Sequence, residues 1–577
     1  MNTRRRNDPR RAILLITAMA AVLQLPLLFC GIDLADLGFY MTHYAQAYDH
    51  PASVEYNYMY YLTGIVGGGW LKLCGWPGIP GIVGMRLLGM LCNLGCVWMV
   101  SALSIRTWHD WRPAALSAAL LICGGFILPV TFCYDLLTSL LTVGSLYLLL
   151  RSVGDDRKPE SGYAFGSGLL MGVALFARVA NAAGVLYVAL YGVAWVVTRR
   201  RVWRQALIWS AGWCAGVAAV VLLMMVKGDG AIFVDNMTDL MAIAMGSGGE
   251  TSHGMSNMLS AQISVWSRII QVAVQGAFLV GLYVWVRRRN WSRVVFALCM
   301  LPVAALGVML VMRTHITLLL SAVVLLGCVC VLALAGRDEP RLRLFAAAGL
   351  AIMIVMPLGS DGGIMNNGVA ALWMGMPPAM AYFSNAGHIR RIHGWKLTAG
   401  RLSALMFTLL VCLICCRRMM TGGVYFDSTH LRDMTGSIDA PEAKYIRTSP
   451  ERARIINDIL KGVRHHVSPG DTLMVYGCGT TINYLTGTLP YIGCSWPEQL
   501  SEQALSRRLN GSQGHPAVLV LNFSTYGGTF GKPSVAYAMG ADANSYHTPA
   551  KSAIVSSWLA RHQYRARVIT PYYTLYE

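Results

Sequence analysis

Apolar runs of membrane-spanning length recur along this chain, each closed by a cluster of Arg or Lys. An α-helix needs ~20 apolar residues to cross the hydrocarbon core of a bilayer. A chain with many such runs reads as a polytopic α-helical membrane protein. Composition agrees: 55% of residues are hydrophobic and 13% charged, too apolar a balance for an ordinary soluble domain. The periodicity predicts spans over 12–30, 79–103, 113–130, 136–151, 163–178, 181–198, 205–226, 264–286, 294–312, 316–335, 344–358, 366–383 and 401–418, about 13 helices. The span at 366–383 carries Pro377-Pro378, a pair expected to break it; if it is only a surface helix, the count becomes about 12 and the tail changes side.

The net charge of +19 would suit a nucleic-acid partner, but the bases sit in short loops between apolar runs. Alternate loops, beginning with residues 1–11, hold 25 of the 47 Lys and Arg. That asymmetry is the positive-inside pattern. It predicts a cytoplasmic N-terminus, read as an uncleaved anchor, in a multi-pass protein whose other face meets periplasm or lumen, with a bacterial inner membrane as the expected location. No nucleic acid is called for; the lipid bilayer is the partner. The intervening loops contain few bases: Lys72, Arg178, Lys227 and Arg313. Bases that resist so strong a rule are candidates for holding an anion.

The stretch Cys30-Gly-Ile-Asp-Leu-Ala-Asp-Leu-Gly-Phe-Tyr40 follows the first span and opens a Tyr-rich external loop, 31–78. Asp33 and Asp36 are three apart, on one side of a helical turn. One could accept a proton while the other orients it, or both could serve as caps. The tyrosines are expected to form an interfacial belt, with a sugar-stacking platform as the alternative. Asp135 lies in a short external turn and faces the same compartment, as do Arg178, Arg313 with His315, and Asp361 in a turn-forming Gly359–Gly363 stretch. Arg86 lies just inside the second span. A guanidinium at headgroup level binds phosphate well, although a single Arg there more often snorkels to lipid. The external loop 227–263 carries Gly246-Ser-Gly-Gly249 and reads as a flexible segment over a substrate or a loose linker.

Beyond about residue 419 the composition changes. Helices over 449–466 and 498–509, alternating with strands at 472–476, 517–522 and 565–569, predict a small extracytoplasmic (periplasmic) α/β domain. Two units follow: 1–418 in the membrane, with the loop 31–78 carrying the site, and 419–577 outside. The 15 cysteines contain no paired CxxC motifs at zinc spacing, and the external histidines lack metal-ligand spacing. Cys478 and Cys494 could form a disulfide in an oxidising compartment.

The order of these features resembles the GT-C membrane glycosyltransferases, in particular the branch of protein mannosyltransferases and the lipid A aminoarabinose transferase. The resemblance rests on Asp33, Asp36, Gly38 and Tyr40 after span one, Met85-Arg86-Leu-Leu-Gly89 opening span two, Tyr134-Asp135 opening span four, and a Gly-rich span five ending in Arg178. It implies transfer of a sugar, with inversion, from a polyprenyl-phosphate donor to a glycan, lipid or protein acceptor on the non-cytoplasmic face. Carried over by position, Asp36 is the general base and Asp33 the second choice. Arg178 would hold the donor phosphate, with Arg86 and Arg313 as helpers and Asp135, His315, Tyr40 and Asp361 as further contacts. The resemblance fixes no cofactor; a divalent metal is left open, with Asp33 and Asp36 as its ligands if one binds. This chain departs from its relatives at Leu37, where many have an acid, and at Arg178, where Lys is common. The competing functions are a flippase or transporter of a lipid-linked sugar and a polysaccharide polymerase or ligase. Against transport stands the lack of a two-fold internal similarity.

Overall fold

The computed structural model describes residues 9–123, 131–153, 160–244, 255–289, 291–334, 339–360, 362–389, 408–414, 417, 427, 429–525, 530–538, 540 and 546–577. The segment Gly246–Gly249, Asp361 and most of the span expected at 401–418 lie outside these residues.

Among the described residues, sixteen α-helices, α1 to α16 in chain order, run from Pro9 to Ile389. Among the described residues, seven helical stretches are long and apolar enough to cross a membrane: Pro9–Phe29, Gly81–Trp108 (α4), Val179–Thr198, Trp203–Lys227 (α9), Met255–Tyr283, Val294–Arg313 and Ile316–Leu334 (α13). The chain is therefore a multi-pass membrane protein. Shorter helices fill the frame, including Arg112–Cys123 (α5), Tyr134–Ser152 (α6), Ser161–Ala174 (α7), Ala189–Thr198 (α8), Pro340–Val355 (α14) and Val369–Ile389 (α16).

Two sites show why these helices pack. On α7, Gly168 and Gly172 face Gly212 and Gly216 of α9, and a Cβ at any of the four would overlap the other helix's backbone. Small residues four apart let two helices touch backbone to backbone, where dispersion rather than water drives association. The expected break at Pro377-Pro378 does not occur, since α16 runs through both prolines. Its side chains from Ala370 to Tyr382 are almost all buried, between α13, α14 and α5, and this packing carries the helix across the lost hydrogen bonds.

The first external loop folds into Asp36–Gln46 (α2), a 3-10 stretch Pro51–Tyr60 and Tyr61–Gly75 (α3). The tyrosine belt is not what forms. Tyr44, Tyr56, Tyr58 and Tyr61 are each 2% exposed or less and make the loop's own core. Their hydroxyls are satisfied internally, Tyr61 donating to Asp229 at 3.0 Å and Tyr44 to the Phe132 carbonyl at 3.0 Å.

The tail is α/β, as its alternating pattern predicts. A small antiparallel pair, β1 (Gly436–Ser437) and β2 (Arg447–Thr448), precedes a five-stranded sheet of order β4-β3-β5-β7-β6. Its strands are β3 (Thr472–Tyr476), β4 (Leu489–Pro490), β5 (Ala517–Leu521), β6 (Ala566–Ile569) and β7 (Tyr573–Tyr576). β3 runs parallel to β4 and β5, while β7 runs antiparallel to β5 and β6. The helix Pro450–His466 (α17) starts at Ser449, whose hydroxyl accepts from the Arg452 NH at 3.1 Å. Cys478 and Cys494 are buried, unbridged thiols, and the latter donates to the Trp496 carbonyl.

This tail and the first external loop pack against each other and share a core: Ile32, Leu34 and Leu37 are buried in one cluster with Ile482 and Leu485. They therefore lie on the same face of the membrane region.

Candidate functional site

Asp33 and Asp36 sit three residues apart and do different things. The Asp33 carboxylate is 1% exposed and accepts from the Ala35 NH at 2.8 Å and the Leu37 NH at 3.0 Å. It satisfies orphan donors at the start of α2, as a helix cap does. Burial raises its pKa, and those backbone bonds and Arg452 oppose the rise. Asp36 occupies the first turn of α2 and is only half-buried. Its charge bears on Tyr40, one turn along, and on Cys133 across the gap to α6.

Asp135 opens α6, ahead of the span read over 136–151. It bears on the same two groups, Tyr40 and Cys133, so the two half-buried acids flank one spot. Tyr134 is the hub there. It meets Tyr40 edge-on with ring centroids 5.8 Å apart and stacks on Tyr60 at 4.1 Å, the planes 5° from parallel. The Arg178 guanidinium lies 5.8 Å from the Tyr134 ring centre and donates to the Gly359 carbonyl at 2.9 Å. The turn at Arg178 and the turn at Gly359 thus meet, although 181 residues separate them. Burial pushes the Asp135 carboxyl up to about 7, with Arg178 beside it pulling the other way.

The structure therefore groups Asp36, Tyr40, Asp135 and Arg178 and adds Tyr60, Tyr134 and Cys133. In the sequence Tyr134 is only the residue that opens span four beside Asp135, and no role at the site is expected of it. The remaining candidates sit elsewhere. The Arg86 guanidinium is fully buried and donates to the carbonyls of Leu28 at 2.9 Å, Cys30 at 3.1 Å and Gly31 at 2.7 Å. It ties the end of the first span to α4. Arg313 and His315 are exposed at the turn before α13, where His315 Nδ1 accepts from the Thr317 NH. Asp361 is outside the described residues, though its neighbour Gly359 is the acceptor for Arg178.

Two more of the bases that broke the positive-inside pattern meet acids. Lys72 pairs with Asp49 at 2.9 Å and Lys227 with Asp229 at 3.7 Å, and both ammonium groups lie against the Tyr48 ring. Buried His43 has its basicity pushed down to about 3 by desolvation and is neutral at ordinary pH.

Asp33 and Asp36 do not fit a metal site. Both oxygens of Asp33 are engaged by backbone NH groups, and among the described residues no three His, Cys, Asp or Glu gather to hold an ion. No step below passes through a metal.

The elevated carboxyl gives a test of its own. Folded, Asp135 holds its proton up to about 7, whereas an unfolded Asp releases it near pH ~4. Between those values the folded state binds more protons, so this group's contribution to stability is full below ~4, falls as pH rises to about 7, and is level above. Asp135→Asn will flatten that slope in unfolding experiments in detergent. Equal slopes in the two proteins would show an ordinary carboxylate.

The sequence matches no protein-family model and no curated protein. Among solved structures, the crystal structure of ArnT from Cupriavidus metallidurans in the apo state aligns over 98% of this chain and 97% of that one, at 12% identity and a TM-score of 0.39. So distant a likeness assigns neither family nor role, and what is established is a multi-pass α-helical membrane protein with an α/β tail.

Proposed function

We propose that the chain is a membrane glycosyltransferase that moves a sugar from a polyprenyl-phosphate donor to an acceptor on the membrane face carrying the first external loop. The observation that supports it is the meeting of two half-buried carboxyls and a buried guanidinium around one aromatic cluster, Tyr40–Tyr134–Tyr60.

In this reading Asp36 accepts the proton of the attacking acceptor group as the new bond to the anomeric carbon forms. The bond from that carbon to the phosphate oxygen breaks on the opposite side, so configuration inverts. The departing lipid phosphate gathers negative charge, which Arg178 offsets at the moment it develops. The stacked Tyr60–Tyr134 faces offer a platform for a sugar ring. Asp135 tunes Arg178 and, with its carboxyl near the midpoint of titration at neutral pH, adjusts to the charge of the bound phosphate.

Asp36→Asn keeps shape and removes the base, so transfer from a polyprenyl-phosphate sugar will fall by roughly 10²–10⁴-fold while donor binding persists. Arg178→Ala will weaken donor binding. Full transfer by the Asn variant would remove Asp36 from the role. A flippase, by contrast, would keep moving lipid between vesicle leaflets with Asp36 replaced.

A further inference from the structure

At the opposite end of the helical frame, on the face of the base-rich loops, four arginines line one cavity of ≈ 130 Å³. Arg106 comes from the last turn of α4 and Arg151 from the last turn of α6. Arg200 lies just past the end of α8, and Arg341 is in the first turn of α14. Leu344 and Phe345 contribute an apolar wall, and the described lining residues include no Asp or Glu.

Positive-inside topology explains why bases occur in these loops, and helix C-termini favour three of the four positions. Neither effect explains convergence. Loop arginines serving topology alone can spread outward to water or lipid headgroups, where like charges separate. Here four helix ends bring theirs to one hollow. Arg151 is held there: its two terminal nitrogens donate to the Tyr147 and Tyr163 hydroxyls at 3.0 and 2.9 Å, and its guanidinium lies 4.8 Å from the Tyr163 ring centre.

We infer that this cavity binds a phosphate group. The guanidinium fork matches phosphate oxygens, and several forks around one hollow favour a doubly or singly charged tetrahedral anion over a carboxylate. A hollow of ≈ 130 Å³ is roomy enough for one phosphate group. The phosphate belongs either to an anionic phospholipid of that leaflet or to the free inorganic ion. This site is independent of the transferase reading, since it lies at the other end of the helices and its test does not measure transfer.

The full chain, reconstituted in nanodiscs of phosphatidylcholine at low salt, is titrated with inorganic phosphate while its thermal unfolding midpoint is followed. In parallel, discs doped with phosphatidylglycerol are compared by midpoint and by lipid retained in native mass spectrometry. Phosphate alone raising the midpoint identifies a soluble anion; phosphatidylglycerol alone identifies a lipid headgroup. Both results support the site. The double variant R106Q/R341Q will lose at least ten-fold in affinity for whichever probe binds, whereas R112Q, an exposed base on the same face, will not. If neither probe shifts the wild-type protein, the arginines are balanced from within the chain and the inference falls, whatever the variants do. It falls equally if R106Q/R341Q binds as the wild type does.

Discussion

Gly38→Ala will unseat the first external loop from the α/β tail. A Cβ at this position would overlap the backbone nitrogen and Cα of Thr481 and the Thr480 carbonyl carbon, none of which is the tip of a flexible side chain. The contact is close because backbone meets backbone. Thr481 donates through its NH to the Leu34 carbonyl at 2.9 Å and through its hydroxyl to the Asp33 carbonyl at 2.8 Å, and the Thr480 hydroxyl donates to the Ala35 carbonyl. Relieving the overlap separates α2 from the short helix Thr481–Thr486 (α18) and stretches all three bonds at once.

Overpacking costs about 1–3 kcal/mol, and each lost hydrogen bond about 0.5–1.5 kcal/mol. The docking should weaken by roughly 2.5–7.5 kcal/mol, enough to populate an undocked loop. Hydrogen exchange will show faster amide exchange at Ala35, Leu37 and Thr481, together with a lower unfolding midpoint. Because Asp36 follows the docked segment directly, transfer on the proposed reading falls as well, though no catalytic group has changed. Unaltered exchange at Thr481 would mean that the loop tolerates the methyl group and that its seat is looser than drawn.

The second large effect is expected at Arg452. This side chain is 3% exposed, lies 3.8 Å from Asp427, stacks at 3.7 Å on the Phe530 ring and donates to the Thr525 carbonyl. Asp427 in turn accepts from the Ile32 NH at 3.1 Å and from the Thr448 hydroxyl. Burial lowers the Arg452 pKa, and the carboxylates of Asp427 and Asp33 restore part of the loss. The pair thus fastens the start of the first external loop to the tail at a second point besides Thr481.

Arg452→Met keeps most of the volume but leaves Asp427 as a buried charge without its cation, which costs about 3–5 kcal/mol. Adding Asp427→Asn removes that charge and will return part of the stability, since an apolar or neutral replacement of a whole buried pair is far less damaging than breaking it. A double-mutant cycle on unfolding free energy in detergent measures the difference. Additive single effects would show that the two residues do not act as a pair.

The helical membrane class was legible from the chain alone because hydrophobicity and helix length are local quantities: a run of apolar residues either spans the hydrocarbon or does not. The tail's strands expected at 472–476 and 517–522, found at Thr472–Tyr476 and Ala517–Leu521, were legible for a similar reason, as short buried runs between turn residues. Pro377-Pro378 misled because the local rule assumes solvent or lipid around the break, whereas α16 is enclosed by other helices.

Which acid faces the aromatic cluster was not a local quantity. Asp33 and Asp36 have the same chemistry and nearly the same neighbours in the chain, yet one is folded into the cap of α2 beneath the tail while the other remains half-buried beside Tyr40. Arg86 and Arg178 were equally similar on paper. Three carbonyls at the end of the first span engage Arg86, whereas Arg178 lies against Tyr134 and reaches the turn at Gly359. Composition and hydropathy determined the solvent each segment requires. Tertiary packing alone decided which polar groups share a space, because those encounters join residues hundreds of positions apart and depend on close approaches, such as Gly38 on Thr481, that no window along the chain contains.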